Sequence, residues 1–94
     1  MIIQFDPPEN DANMKDRDLS FALAVDFDFE TAVFRPDTRH DYGEVRWRAL
    51  GYLGDRLHAL VFTEVLGGIR VISFRKANQR EVTVYEQDVK PRTT

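Results

Sequence analysis

The sequence predicts an α+β fold: a single domain with a mainly antiparallel, twisted sheet, two helices ahead of it and one behind it. Three observations point there. Residues 31–74 read as successive strand segments broken by turn signals, helix-start signals crowd the first twenty residues, and helical spacing returns only after Ala77. With 94 residues, 43% of them apolar and seven Phe, three Tyr and one Trp among them, the chain has material for one core and none for a second.

Ile2 to Phe5 is a short apolar segment suited to a first or edge strand. Asp6-Pro7-Pro8-Glu9 then opens a helix running to about Arg17: Asp6 is placed to cap free amides, the prolines fit a first turn that needs no amide partner, and Glu9 completes a capping box. Ser20 is a second N-cap, ahead of the apolar helix Phe21 to Val25. Asp26 to Glu30 alternates and fits either a strand or an irregular link. Thr31 to Arg35 is a strand stopped by Pro36, and residues 37–43 form a polar loop. Glu44 to Leu53 and Arg56 to Glu64 form a hairpin about Gly54-Asp55, and Gly67-Gly68 turns the chain into a further strand, Ile69 to Phe74. A last helix spans about Ala77 to Asp88, held by Glu81 and Tyr85. The domain is thus residues 1–89, and residues 90–94, with Pro91, are expected to be a frayed, flexible tail.

Alternation assigns faces. Glu44, Arg46, Arg48, Leu50 and Tyr52 share one side of their strand and Val45, Trp47, Ala49 and Leu53 the other. In the last strand Arg70, Ile72 and Phe74 oppose Val71, Ser73 and Arg75. The expected result is a sheet with helices on one face and cations on the other, an open platform in place of a closed pocket.

The net charge of −3 is unevenly spread: residues 1–45 carry four basic and eleven acidic side chains, net −7, and residues 46–94 carry nine and five, net +4. Arg70, Arg75, Lys76 and Arg80 follow one another without an intervening acid up to Arg80, so a polyanion can meet a local positive field; a merely solvated basic face is the other reading. The absence of cysteine excludes disulfides and thiolate metal sites. No apolar run reaches the roughly 20 residues of a membrane span, and no signal peptide is visible at Met1 to Gln4, so a cytoplasmic protein without membrane contact is expected.

Chemistry-bearing patterns are sparse. His40 and His58 are too isolated for a zinc site. His58, between strand apolar residues, is expected to be structural, while His40 in a polar loop is within reach of a phosphate. Asp26, Asp28 and Glu30 lack a further acidic ligand to complete a magnesium site. No phosphate-binding glycine loop, serine elbow or Cys/His pair is present. Metal-free RNA cleavage remains open: it needs a proton acceptor, a proton donor and cations for the phosphate, and Arg46, Arg48, Arg70, Arg75, Lys76 and Arg80 supply the cations. Glu44 is a candidate base or, equally, half of a cross-strand ion pair. Trp47 and Tyr85 are expected in the core.

Phe5-Asp6-Pro7, the segment Asn13 to Phe21, the run Asp41-Tyr42-Gly43-Glu44-Val45-Arg46, the run Ile69 to Ala77, and Arg80-Glu81 with Tyr85-Glu86 together resemble the BrnT family over residues 2 to about 87. The resemblance implies a RelE-like fold, an endoribonuclease toxin that inhibits growth without any cofactor or metal, and a ribbon-helix-helix antitoxin through which alone DNA is met. It also implies site residues, Lys15, Glu44, Arg46, Arg70 and Arg75; Arg48, Lys76 and Arg80, from the cation pattern, are expected to bind RNA. Where the family reads Lys-His-Gly, this chain has Lys15-Asp16-Arg17, so Asp16 takes the place of a histidine suited to proton transfer and becomes a sixth catalytic candidate. The alternative is a toxin-fold protein that cleaves weakly or not at all and serves as an antitoxin-binding co-regulator of transcription.

Overall fold

The computed structural model describes residues 1–89, so the tail expected at residues 90–94 lies outside the described residues. The chain runs β1 (Ile2–Phe5), α1 (Pro7–Arg17), a 3-10 helix (Phe21–Asp26), β2 (Val33–Pro36), β3 (Trp47–Leu53), β4 (Arg56–Val65), β5 (Gly68–Lys76) and α2 (Gln79–Val89). The five strands form one sheet in the order β1-β5-β4-β3-β2. It is a mixed sheet: β2, β3, β4 and β5 pair antiparallel as a meander, and β1 adds parallel to β5 at the far edge. The sheet is mainly antiparallel as expected, and the parallel edge is what makes it mixed. That edge depends on Gly68, where a Cβ would stand 1.9 Å from the Ile2 carbonyl oxygen. The turn accordingly falls on Leu66-Gly67, with Gly67 at φ 81°, and Gly68 belongs to the strand.

Most of the apolar side chains gather on one face. Ala49, Leu60, Phe62, Ile69, Val71 and Phe74 meet Phe21, Ala24 and Phe27 there, and Phe21, Phe74, Leu60 and Val71 are fully enclosed. The 3-10 helix is fixed by Ser20, whose hydroxyl accepts from the Ala22 amide at 3.2 Å. α1 carries no buried residue and is tied by polar bonds instead: Asn13 Nδ2 donates to the carbonyls of Leu19 and Phe74 at 2.8 Å each, and Asn10 Oδ1 accepts from the Phe21 amide. Asp6 occupies the N-cap position but its side chain makes no cap bond, so the expected capping box is not formed. The segment after the 3-10 helix is an irregular link, with one bridge from Phe27 to Leu53 and a turn in which Asp28 accepts from the Thr31 hydroxyl at 2.7 Å.

Two expectations about layering change. The second N-terminal helix is a single 3-10 segment, and α2 packs on the opposite face from α1's neighbours: Tyr85 and Val82 cover Leu57, Ala77, Val33 and Leu50. Helices therefore flank both faces. The cationic face is open only beyond α2, which turns the expected platform into a cleft.

The face assignment of β5 also changes, because of a β-bulge. Val61 lies opposite Ser73 but Phe62 opposite Val71, so Ile72 is an extra residue on β5. On either side of it, Arg70 opposes Thr63 and Arg75 opposes Ala59, both odd-numbered positions of β4. Arg70, Ser73 and Arg75 thus share one face, while Ile69, Val71 and Phe74 share the core face. Strict alternation would have put Arg70 and Arg75 on opposite sides.

Candidate functional site

A cleft of about 390 Å³ lies on the face opposite the main core. Its floor is the sheet, through Leu50, Ala59, Val61 and Ser73; one wall is α2, and the other is the loop between β2 and β3. Arg35, Arg39, Arg46, Arg48, Arg75 and Arg80 line it, against two acids, Asp37 and Glu81. Arg48 and Arg80 are exposed and have no acidic partner among the described residues. The other four are each placed by a carboxylate.

On the α2 wall, Arg75 holds Glu81 through its two terminal guanidinium nitrogens, Nη1 and Nη2, at 2.7 and 2.9 Å. Glu81 also accepts from the Asn78 amide while Asn78 Oδ1 accepts from the Glu81 amide, each at 2.9 Å, a reciprocal capping box that starts α2. Arg75, then burial acting in the other sense, leaves the Glu81 carboxyl below its ordinary pKa. Arg35 pairs with Asp88 at the far end of the helix.

On the loop wall, Asp37 is buried and takes Arg39 Nε and Nη2 at 2.8 Å each. That bidentate pair holds the Asp37 carboxyl far below the ordinary range. The Asp37 amide donates to the Arg46 carbonyl at 2.8 Å, and Thr63 Oγ1 to the Val45 carbonyl at 2.7 Å, so both ends of the loop are fastened. The Arg46 guanidinium lies over the Tyr42 ring, 3.9 Å from its centre. Beside the cleft, Glu44 accepts from Arg46 Nε at 3.1 Å and from Arg70 Nη2 at 2.8 Å. These bonds, Arg46's foremost, lower its pKa and outweigh its partial desolvation.

The structure therefore gathers Glu44, Arg46, Arg48, Arg70, Arg75 and Arg80 in or beside one cleft. It does not bring Lys15, Asp16 or Lys76 there: Lys15 and Asp16 are exposed on α1, and Lys76 ends β5 opposite His58. Arg35, Asp37, Arg39 and Tyr42 were missed by sequence reasoning; the only hint was a polar loop that alternates acids with basic and aromatic residues. His58 is structural as expected, its Nδ1–H donating to the Arg56 carbonyl at 2.8 Å and its ring against Phe74. Burial pushes its pKa down and keeps it neutral. Among the described residues no cluster of His, Asp and Glu is arranged to hold a metal ion.

A small α+β domain with an arginine-lined cleft on one sheet face defines a class suited to gripping a phosphate-bearing polymer. Residues 5–81 match the family described as ribonuclease toxin, BrnT, of type II toxin-antitoxin system. The chain belongs to that family, and with it go an RNA target and a protein antitoxin. No curated protein matches the chain.

Proposed function

We propose that this protein is a metal-independent endoribonuclease toxin that cleaves RNA bound in the arginine-lined cleft and is neutralised by a ribbon-helix-helix antitoxin. The observation that carries the reading is the convergence of six arginines on one cleft with Glu44 held beside them. In the reaction, a base takes the 2′-hydroxyl proton, the 2′-oxygen bonds to phosphorus, and the 5′-oxygen leaves with a proton from an acid. Glu44 is the base: it stays ionised through mildly acidic pH, and Arg46 and Arg70 fix its orientation. His40, packed edge-on against Tyr42 at 5.6 Å, is the candidate acid. Cation work falls to arginine, since every carboxylate at the cleft is already engaged by one. The antitoxin's form rests on the family resemblance, and a cytoplasmic location goes with the proposed action on cellular RNA.

The backbone refines one part of the resemblance. The family's Lys-His-Gly ends in glycine, and the left-handed backbone that favours glycine occurs at Asp18, the C-cap of α1, with φ 55°. We place the family's glycine at Asp18 and its histidine at Arg17, one residue later than the Lys15-Asp16-Arg17 correspondence. The family's lysine then falls on Asp16, so the proposed roles of both Lys15 and Asp16 lose their basis, and the chemistry rests on the cleft.

A second reading, a binding protein with weak or no cleavage, is favoured by the ion pairing of Glu44, which makes it a poorer base than a free carboxylate. One assay separates the two: cleavage of a mixed-sequence RNA in EDTA by the parent and by Glu44→Gln. Loss of the base should slow cleavage by about a hundredfold or more while RNA binding holds or tightens, because Arg46 and Arg70 are freed. An unchanged rate removes Glu44 from the chemistry. A parent that binds RNA and antitoxin without cutting establishes the second reading.

A further inference from the structure

We infer that Arg39, clamped by the buried carboxylate of Asp37, is a fixed phosphate-contacting residue of the cleft, and that Asp37 is its positioning residue. The inference rests on RNA binding in the cleft and adds two residues to it.

Asp37 stands out because burying a carboxylate is costly unless strong partners meet it. Its side chain is 1% exposed, whereas the Arg39 side chain paired with it is 60% exposed. Such an asymmetric pair is not an ordinary surface salt bridge. The acid is built into the protein, and the base is presented outward from it. Asp37 follows directly on the edge strand β2, and its amide is bonded to the Arg46 carbonyl, so its backbone is fixed by the sheet. Both carboxylate oxygens are occupied: Oδ1 by Arg39 Nε at 2.8 Å and, more weakly, the Arg39 amide at 3.3 Å, and Oδ2 by Arg39 Nη2 at 2.8 Å and the Tyr42 hydroxyl at 3.4 Å.

The geometry leaves Arg39 usable. A guanidinium has five N–H groups in a plane. Asp37 consumes one on Nε and one on Nη2, so three hydrogens, two on Nη1 and one on Nη2, are not used by the carboxylate, with Tyr42 as a further neighbour of the guanidinium. Arg39 lines the cleft together with Arg46 and Arg48. A long side chain normally loses much of its rotamer freedom when it grips a ligand; here the clamp has removed that freedom before RNA arrives. Because the pair is nearly neutral as a whole, it adds little to the long-range field. Its contribution is directional hydrogen bonding at contact, which depends on the clamp staying closed. Tyr42 links the clamp to the Arg46 guanidinium stacked on its ring, so the same carboxylate helps to orient a second cation.

The test uses a short single-stranded 2′-O-methyl RNA, which binds without being cut, and measures Kd across a salt series with Tm in parallel. Arg39→Ala should weaken binding about tenfold, beyond any loss explained by its lower Tm, since it also leaves the buried Asp37 carboxylate without its main partner. Asp37→Asn keeps the shape but loses the charge-assisted clamp, and should weaken binding several-fold beyond any loss explained by Tm. Arg39→Lys should not restore the parent's affinity, since an ammonium cannot fill the bidentate site. An unchanged Kd in Arg39→Ala, or tighter binding in Asp37→Asn, overturns the inference; the latter would make Asp37 a mask over Arg39. Arg48→Ala serves as the reference. If it weakens binding and Arg39→Ala does not, only this inference fails; if neither does, the cleft is not the RNA site.

Discussion

Arginines of one chemical type fall into two roles according to what holds them. Arg48 and Arg80 face the cleft without an acid, so their loss removes a contact to a ligand and nothing from the fold. Arg75 is different. Its partner Glu81 is the same residue whose carboxylate caps the start of α2, so truncating Arg75 leaves a half-buried carboxylate without its main partner. Partly buried, bidentate pairs of this kind contribute about 1 kcal/mol, and in a domain of this size that corresponds to roughly 5 °C in Tm. Arg75→Ala should therefore melt earlier by about that much, whereas Arg48→Ala should leave Tm nearly unchanged and weaken RNA binding. Thermal melts and RNA titrations of the two variants decide this. Equal Tm values would mean that the Arg75–Glu81 pair contributes nothing to the fold and that both residues are simple ligand contacts. These roles were not legible in the sequence: Arg75 and Arg80 look alike there, and only the folded distance to Glu81 separates them.

Elements declared by local chemistry were readable, and those set by distant partners were not. α1 ends at Arg17 and the Gly54-Asp55 hairpin forms where the sequence places it, because turn glycines and helix stops act over a few residues. β1's parallel pairing, the bulge at Ile72 and the seat of α2 depend on residues tens of positions away. The bulge matters most for function, since it moves Arg70 and Arg75 onto one face, and a period-two reading has no means of seeing the extra residue. The strand after the polar loop also begins later than read, at Trp47, because residues 44–46 are taken up by the Glu44 and Asp37 contacts. The C-cap of α1 offers a test at this scale. Asp18 adopts φ 55°, a conformation that is strained for a residue with a Cβ, though aspartate tolerates it better than most. Asp18→Gly should raise stability by about 0.5–1 kcal/mol, read as a higher midpoint in urea. A lower midpoint would show that the Asp18 side chain stabilises the turn, and would weaken the argument that this position corresponds to the family's glycine.

At the scale of the whole molecule, the acidic balance of the chain conceals a site of opposite sign. Half the chain carries a net −7, yet the cleft collects six arginines, two of them from that acidic half, Arg35 and Arg39. Folding produces the site by placing most acids elsewhere and using a few as clamps, so composition alone argues the wrong way about the partner. The consequence is measurable. Ion-paired arginines release few counterions when RNA arrives, because their charge is already met by a carboxylate; unpaired ones release the full complement. If Arg48 and Arg80 make the full phosphate contacts while every pair, Arg39's included, stays closed, two contacts at about 0.7 each give a log–log salt slope near −1.4 for a single-stranded RNA. Opening every pair to engage all six cleft arginines would instead give a slope near −4. We expect the smaller value, since breaking Arg75 from Glu81 would leave the capping carboxylate of α2 without its main partner and breaking Arg39 from Asp37 would do the same to a buried charge. Filter binding or fluorescence anisotropy with the uncleavable RNA between 50 and 300 mM salt reads the slope directly. A value near −4 would mean that RNA dismantles the ion-pair walls on binding, and Glu81→Gln would then be expected to tighten binding, not merely destabilise the helix. A slope near zero would mean that the cleft's positive charge plays no part, and that RNA binds to another surface of the molecule.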